Sequence, residues 1–228
     1  MSLLMTELEV RLPDRTRTSS SFATNKPVAE VSCVLENGRS REIVVPVRVG
    51  RILAKEGIAL PQKEDDAFDA IHALESRVCF TLLVEMLSRR DHGVEEIRQK
   101  LKAYGFRDVE IEHSISRALD NRFLNDDRFV RNFIEERKRR GWGRRRIELE
   151  LKRKGVSLDS IAGYPDSFFS QEDDFERAIN VVKRKPIPST RAFEKLVRHL
   201  MTKGFSYSVA ADAVKRYLAE QAEREEVV

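Results

Sequence analysis

The chain has 228 residues, of which 41% are hydrophobic and 35% are charged, so it can bury a core beneath a heavily charged surface. This composition excludes collagen-like and low-complexity chains. The longest uncharged apolar stretch, 78–84, is far shorter than the roughly 20 residues that a membrane-spanning helix needs, and the N-terminus shows no signal-peptide pattern. We therefore expect a soluble, cytoplasmic protein that has no membrane partner.

The first 75 residues are predicted to contain a flexible arm, one hairpin, one short helix and a linker. Residues 1–27 include the Ser/Thr/Arg-rich run 15–21, which is typical of a flexible N-terminal arm. Within 28–75, alternating apolar residues flank Asn37-Gly38, the strongest short signal for a β-hairpin. Pro46 restricts the second strand to a sheet edge, because proline cannot donate a ladder hydrogen bond. The rest of this region is predicted to hold a short helix at 50–57 and an acidic linker at 62–69.

One helical pattern of about 50 residues occurs three times after residue 75. In each copy two apolar residues four positions apart share a helix face, and a glycine followed by an apolar residue ends the helix. The three glycines are separated by 50 and 49 residues. The matching positions are Ile97, Leu101, Gly105 and Phe106; Ile147, Leu151, Gly155 and Val156; and Leu196, Leu200, Gly204 and Phe205.

Each copy is predicted to be a three-helix unit, and stacked units of this size share a core. The expected fold is mainly α, with three tandem three-helix repeats in an elongated curved array, preceded by a small N-terminal β-hairpin. The predicted repeats are 76–124, 125–188 with an insertion at 163–174, and 189–228 with an acidic tail. The predicted helices include 78–90, 94–104 and 109–121 in the first repeat and 175–184 as the third helix of the second.

A capping pattern opens the second repeat. Leu124 and Phe129 flank Asn125 as a hydrophobic staple, and Asp126 with Asp127 provides a negative first turn. Paired carboxylates also occur in catalytic sites, but we interpret this pair as a helix cap.

Positive charge is concentrated between residues 125 and 163, where twelve basic residues face seven acidic ones. Such a cluster is typical of a surface that binds phosphates or an acidic partner. A solvated, salt-bridged helix face is the alternative, because glutamates are interleaved with the basic residues. Helical spacing predicts that Arg131, Lys138, Arg139, Arg145, Lys152 and Arg153 point away from the core. The candidate contact residues are Arg131, Lys138, Arg139, Arg140, Trp142, Arg144, Arg145, Lys152 and Arg153.

Two large side chains in this region admit two interpretations each. Trp142, between Gly141 and Gly143, can stack on a base or insert into a partner groove, or it can fold back over the helix pair. Arg137 falls in the apolar sector of its helix, which favours a structural role over a phosphate contact. That role would be to bind helix-end carbonyls or to pair with Glu150.

The sequence contains no catalytic or cofactor motif. There is no GxxxxGK[ST] loop, and the GxG at 141–143 lacks both the third glycine and a preceding strand. The four histidines form neither an HxxxH nor an HExxH pair, and Cys33 and Cys79 belong to no CxxC motif. We therefore expect a non-enzymatic protein with no metal or cofactor and with reduced, buried cysteines.

The second repeat resembles the signature of the RecX family, and the similarity extends over about residues 76–220. The matching pattern is Asp126-Asp127-x-Phe129, then Arg137 with Gly141-x-Gly143, then Ile147-x-x-Glu150-Leu151-x-x-x-Gly155. Within it, Asp126, Asp127, Phe129, Ile147, Leu151 and Gly155 are expected to determine the fold, while Arg139, Arg140, Arg144, Arg145, Lys152 and Arg153 are expected to contact the partner.

The resemblance implies a bacterial regulator of the RecA recombinase. Such a protein binds the RecA filament on single-stranded DNA, curbs filament extension, and lowers ATPase, recombinase and LexA-cleavage activities; some members bind DNA themselves, so duplex DNA is a further candidate partner. We expect a monomer. The alternative function is a sequence-specific regulator that binds duplex DNA, because three-helix units also suit helix-turn-helix docking.

Overall fold

The computed structural model describes residues 3–14 and 26–226, which divide into two compact units, Met1–Asn125 and Asp126–Val228. The first unit contains β1 Leu4–Arg11, β2 Val28–Leu35, β3 Ser40–Pro46, α1 Val47–Glu56, β4 Gln62–Lys63, α2 Glu64–Leu87, α3 Val94–Ala103 and α4 Asp108–Asp120. The second contains α5 Asp126–Arg139, α6 Arg144–Arg153, a 3-10 helix Leu158–Ser160, α7 Gln171–Val182, α8 Ala192–Thr202 and α9 Tyr207–Glu226. A mainly helical protein with a small N-terminal antiparallel sheet is therefore confirmed.

The N-terminal sheet has four antiparallel strands in the order β3-β2-β1-β4. The hairpin forms at Asn37-Gly38, where Gly38 takes φ +78°, and Pro46 ends the edge strand β3 as predicted. The flexible arm predicted over 1–27 is wrong for Leu4–Arg11, which form β1 between β2 and β4. A two-stranded hairpin is marginal alone, and β1 adds the buried Met5 to the core. The run 15–21 lies outside the described residues.

The acidic linker predicted at 62–69 is also wrong. Gln62–Lys63 pair with β1 as β4, and α2 begins at Glu64, fourteen residues before the predicted helix start. Glu64, Asp65 and Asp66 occupy the first turn, where negative charge is stabilised by the helix dipole. The acidic run is therefore a helix-start signal.

The sheet, α1 and the helices α2, α3 and α4 share one hydrophobic core. The glycine turn that ends α3 packs directly against the start of β2. Gly105 has φ +86°, and a Cβ there would lie 2.7 Å from Val28 Cγ1. The Lys26 amide donates to the Ala103 carbonyl at 2.8 Å. The N-terminal sheet therefore covers the turn between α3 and α4.

A buried carboxylate connects α2 to the start of α4. Glu75 accepts hydrogen bonds from the backbone N–H and from Nε of Arg107, both at 3.1 Å. Burial raises the pKa of Glu75 in spite of the bonds from Arg107, which lower it. The interaction satisfies one of the free N–H groups at a helix N-terminus.

The second unit contains two hydrophobic cores rather than one. Residues of α5, α6 and the segment that ends at Phe169 form the first, whereas α7 packs with α8 and α9 in the second. The helix predicted at 175–184 as the third of the second repeat thus belongs to the core of the third repeat. In the second repeat, Ile161, Phe168 and Phe169 fill the corresponding space. No helix in 3–14 or 26–226 is both long and apolar enough to cross a bilayer.

Candidate functional site

The candidate site is built on the turn that connects α5 to α6. Gly141 takes φ +74°, its amide donates to the Lys138 carbonyl at 2.8 Å, and the Trp142 amide donates to the Arg137 carbonyl at 3.1 Å. This is the hydrogen-bond pattern of a Schellman helix end. It ends α5 after the basic run and fixes where α6 starts.

The start of α6 is held by the turn between α8 and α9. The Gly143 amide donates to the Lys203 carbonyl at 2.9 Å, and the Arg145 amide donates to the Gly204 carbonyl at 3.1 Å. These two amides lie in the first turn of α6, where N–H groups lack partners within the helix. The GxG segment therefore positions the basic helix α6 against its neighbour.

The residues expected to determine the fold lie in or beside the core. Phe129, Ile147 and Leu151 are buried, and Gly155 takes φ +76° at the end of α6. Asp126 and Asp127 occupy the first turn of α5. Asp127 Oδ1 also accepts from the Ala162 amide at 3.4 Å, which connects α5 to the segment after the 3-10 helix.

Trp142 folds back over the helix pair, which is the second of its two interpretations. Its half-buried ring packs against the core of α5 and α6. The Arg137 guanidinium lies 5.0 Å from the ring centroid and that of Arg146 lies 3.8 Å from it. Cation–π contacts of this kind contribute about 0.5–2 kcal/mol each. Arg146, in the first turn of α6, was not among the candidates.

Arg137 has the structural placement that its helical position favours. Its guanidinium lies 4.6 Å from the Phe133 ring centroid as well as over Trp142, and its side chain is 19% exposed. Arg137 Nη1 lies 3.4 Å from Glu136, while Glu150 pairs with Arg153 at 3.0 Å. Arg137 therefore pairs with Glu136, and Glu150 pairs with Arg153, instead of the predicted pairing between Arg137 and Glu150.

Arg144 belongs to a hydrogen-bonded network and is not a free surface charge. Arg144 Nε and the Tyr164 hydroxyl both donate to Glu148 Oε1, at 2.7 and 2.6 Å. Burial opposes ionisation of Glu148, but these two hydrogen bonds outweigh it and lower the pKa of the carboxyl. Burial and the same carboxylate raise the pKa of Tyr164. The network holds the segment 161–169 on α6.

The remaining candidates differ in their accessibility. Arg131, Arg145, Lys152 and Arg153 are exposed, as helical spacing predicts. Lys138 is not: its side chain is 12% exposed, lies 3.2 Å from Glu135 and donates to the Phe168 carbonyl. The prediction that Lys138 points into solvent is therefore wrong. It was based on helical spacing within α5, whereas the segment 161–169 covers the face of α5 that carries Lys138.

Lys138, Arg139 and Arg140 line a pocket of about 500 Å³ together with residues from the C-terminal ends of α7 and α8. This second set of residues was not predicted, although the charge run Lys183-Arg184-Lys185 is visible in the sequence. Burial lowers the pKa of His199, and the charges of Lys185 and Lys203 lower it further. The other lining residues are Gly141, Arg177, Asn180, Val181, Arg184, Lys185, His199 and Lys203.

Arg144 and Arg145 line a separate depression of about 410 Å³, which also contains the carboxylates of Glu148 and Asp174. Neither Lys152 nor Arg153 lines either cavity. The predicted basic surface is therefore divided into a concave part at the end of α5 and an exposed part on α6. Nowhere in the described residues do three or more His, Cys, Asp or Glu side chains form a group that could hold a metal ion.

Comparison with known proteins identifies relatives of one kind. The family model described as "RecX, second three-helix domain" matches residues 125–162. A regulatory protein RecX of Vibrio vulnificus (strain CMCP6) is 36% identical over 135 residues, which cover 57% of this chain and 86% of the relative. One of Vibrio campbellii (strain ATCC BAA-1116) is 34% identical over 54% of this chain and 81% of the relative. The crystal structure of RecX from Lactobacillus salivarius matches with a TM-score of 0.55 at 20% identity, over 62% of this chain and 95% of that one, and so supports the fold.

Proposed function

Because the chain belongs to the RecX family of regulatory proteins, we propose that it regulates the RecA recombinase by binding the RecA filament on single-stranded DNA. The proposed effect is inhibitory: filament extension, ATP hydrolysis and the recombinase and coprotease activities all decrease. In this proposal the protein acts by binding, as a cytoplasmic monomer, and supplies no catalytic group. The relatives are named as regulatory proteins and not as enzymes, which supports a non-enzymatic role.

The observation that supports this proposal is the exposed basic face of α6. Arg145, Lys152 and Arg153 project from a single helix, and Arg145 and Lys152 have no carboxylate partner among the described residues. Two helical turns, about 10 Å, separate Arg145 from Lys152. Cations spaced in this way can contact successive phosphates of a strand or an acidic surface of the filament.

The position of α6 is fixed before any partner binds. Its first turn is hydrogen-bonded to the Lys203 and Gly204 carbonyls, and Leu151 anchors its buried face. A prepositioned basic helix loses less conformational entropy on binding than a mobile one. Arg144 supports this arrangement through Glu148 and Tyr164, so we assign it a positioning role beside the contact residues Arg139, Arg140, Arg145, Lys152 and Arg153.

The test measures DNA-dependent ATP hydrolysis by RecA and filament length by electron microscopy, with this protein at a stoichiometry well below that of RecA. We expect both to decrease. The variant Arg145→Ala/Lys152→Ala should require about tenfold more protein for the same effect and should have a weaker salt dependence. A matched control is Arg51→Ala/Lys55→Ala, which removes two exposed charges from α1.

Unchanged hydrolysis together with unchanged filament length would contradict the proposal. If the α1 control lost as much activity as the α6 variant, the assignment of the contact face to α6 would be wrong. Selection from random sequence of one duplex bound with nanomolar affinity would instead support the alternative, a sequence-specific DNA regulator.

A further inference from the structure

The pocket at the ends of α5, α7 and α8 is lined by an unusual set of charges. Seven lysines and arginines contribute to the lining together with His199, and no aspartate or glutamate does so among the residues that the structure describes. The cations come from three separate helix ends, which the sequence alone does not bring together. The seven are Lys138, Arg139, Arg140, Arg177, Arg184, Lys185 and Lys203.

This positive charge is only partly neutralised within the protein. Lys138, Arg140 and Arg177 pair with Glu135, Glu136 and Asp174 outside the pocket lining. The side chains of Arg139, Arg184, Lys185 and Lys203 have no carboxylate partner in the described part of the chain.

The local field remains positive in spite of the three helix C-termini. Each helix end contributes only about half a negative charge, which is less than the charge of the four unpaired cations. The positive charge also affects His199: burial lowers the pKa of this residue, and the charges of Lys185 and Lys203 lower it further because they disfavour a protonated imidazole. A concave surface focuses such a field towards an anion that enters it.

We propose that this pocket binds two or more adjacent phosphate groups and does so without recognising a base. A volume of about 500 Å³ accommodates several linked phosphates. The lining contains no Phe, Tyr or Trp, so the aromatic stacking by which proteins bind the bases of single strands is absent. Arginine and lysine together provide several donors for phosphate oxygens.

Linked phosphates of this kind occur in the backbone of a polynucleotide and in a free polyphosphate. If the phosphates are those of a polynucleotide, the strand would be the one inside the filament, and the inference then rests on the proposed function. Binding of a free polyphosphate does not depend on it. The inference assigns phosphate binding to the ends of α5, α7 and α8 and leaves the face of α6 for the partner surface.

Isothermal titration of the full-length protein with sodium tripolyphosphate tests the pocket without RecA. We expect one binding event per chain, at least tenfold tighter than that of inorganic phosphate. Arg184→Ala/Lys185→Ala should weaken it about tenfold and reduce its dependence on salt, because two of the cations that attract the anion are removed. Both side chains are exposed, so circular dichroism should show native helix content.

The matched control is Arg51→Ala/Lys55→Ala, which removes the same charge from exposed positions of α1 and should leave tripolyphosphate affinity unchanged. Equal weakening by both variants, or tripolyphosphate binding no tighter than phosphate, would overturn the proposal. Competition by a thymidine oligonucleotide would assign the pocket to a polynucleotide backbone; binding of tripolyphosphate unaffected by the oligonucleotide would assign it to a free polyphosphate.

The outcome is separable from that of the proposed function. Tripolyphosphate binding at the pocket with no effect on RecA would contradict filament regulation and leave the pocket assignment standing. Filament shortening by a protein that binds tripolyphosphate no better than phosphate would overturn the pocket assignment alone.

Discussion

Gly143 and Gly204 lie backbone against backbone. A Cβ on Gly143 would come within 2.3 Å of the Gly204 carbonyl carbon, and a Cβ on Gly204 would come within 2.4 Å of Arg146 Cβ. Hydrogen bonds to the Lys203 and Gly204 carbonyls join the same two segments. The start of α6 and the turn between α8 and α9 can make this contact only if both residues lack side chains.

Gly143→Ala should destabilise the second unit by about 3 kcal/mol through overpacking. The loss of stability comes from the steric clash and not from backbone strain, because any residue can adopt the φ of −83° and ψ of 163° found at Gly143. Hydrogen exchange should become faster at the amides of Gly143 and Arg145. The control is Arg145→Ala, which changes an exposed side chain at the same helix start and should alter stability by less than about 0.5 kcal/mol. A fully stable Gly143→Ala protein with unchanged exchange would contradict the prediction.

Leu151→Ala should lower the free energy of unfolding by about 2–5 kcal/mol, because this fully buried side chain leaves a cavity. Leu149 lies on the same helix but is 50% exposed, so Leu149→Ala should cost less than about 1 kcal/mol. Urea denaturation of both variants measures the difference. Similar losses at the two positions would show that Leu151 is not the buried anchor of α6.

Tyr164→Phe should remove a hydrogen bond to the Glu148 carboxylate and cost about 1–2 kcal/mol near neutral pH. The pKa of Glu148 is lowered in the folded protein, so the stabilisation is present above its unfolded pKa of about 4.3 and decreases as the pH falls through the native value. The stability gap to the wild type should therefore narrow below about pH 4. Denaturation across this range measures it, and Tyr207→Phe, at an exposed tyrosine, is the control. A gap that is independent of pH would contradict the role of Glu148.

Cys79 should resist alkylation in the native protein at pH 8.5 and react readily in concentrated urea. Burial raises its pKa to about 11, the nearby Ser114 hydroxyl opposes this increase, and the charges of Glu75 and Glu110 add to it. Because the native pKa exceeds the unfolded value, stability should decrease as the pH rises from about 8.5 towards the native value. Mass spectrometry after iodoacetamide treatment measures the reaction, with Cys33, also buried, as a second site. Equal modification rates with and without urea would contradict the prediction.

Local signals were sufficient to locate the helices that end at glycine. Gly105, Gly155 and Gly204 each take a positive φ, as expected where a helix stops in the left-handed region, and the apolar pairs before them are buried. These features depend on residues four or fewer positions apart. The hairpin at Asn37-Gly38 follows for the same reason.

Features that depend on distant segments were predicted incorrectly. β1 forms because Leu4–Arg11 pair with β2 and β4, and the paired residues are at least 19 positions apart in the chain. The acidic run that begins at Glu64 was interpreted as a linker, whereas α2 begins there and buries Ala67 and Ile71 against the sheet and the other helices of the first unit. α7 belongs to the core of the third repeat because Ala178 and Ile179 pack with residues of α8 and α9.

The candidate site shows the same division. The sequence by itself determined that basic residues cluster around the α5–α6 turn, that helical spacing exposes Arg145 and Lys152, and that GxG interrupts the two helices. Only the tertiary structure decided that the glycines serve backbone contact with the α8–α9 turn, that Lys138 is covered, and that Arg184, Lys185 and Lys203 complete a basic pocket. The physical reason is that charge and periodicity are properties of single segments, whereas a concave site requires several helix ends to meet.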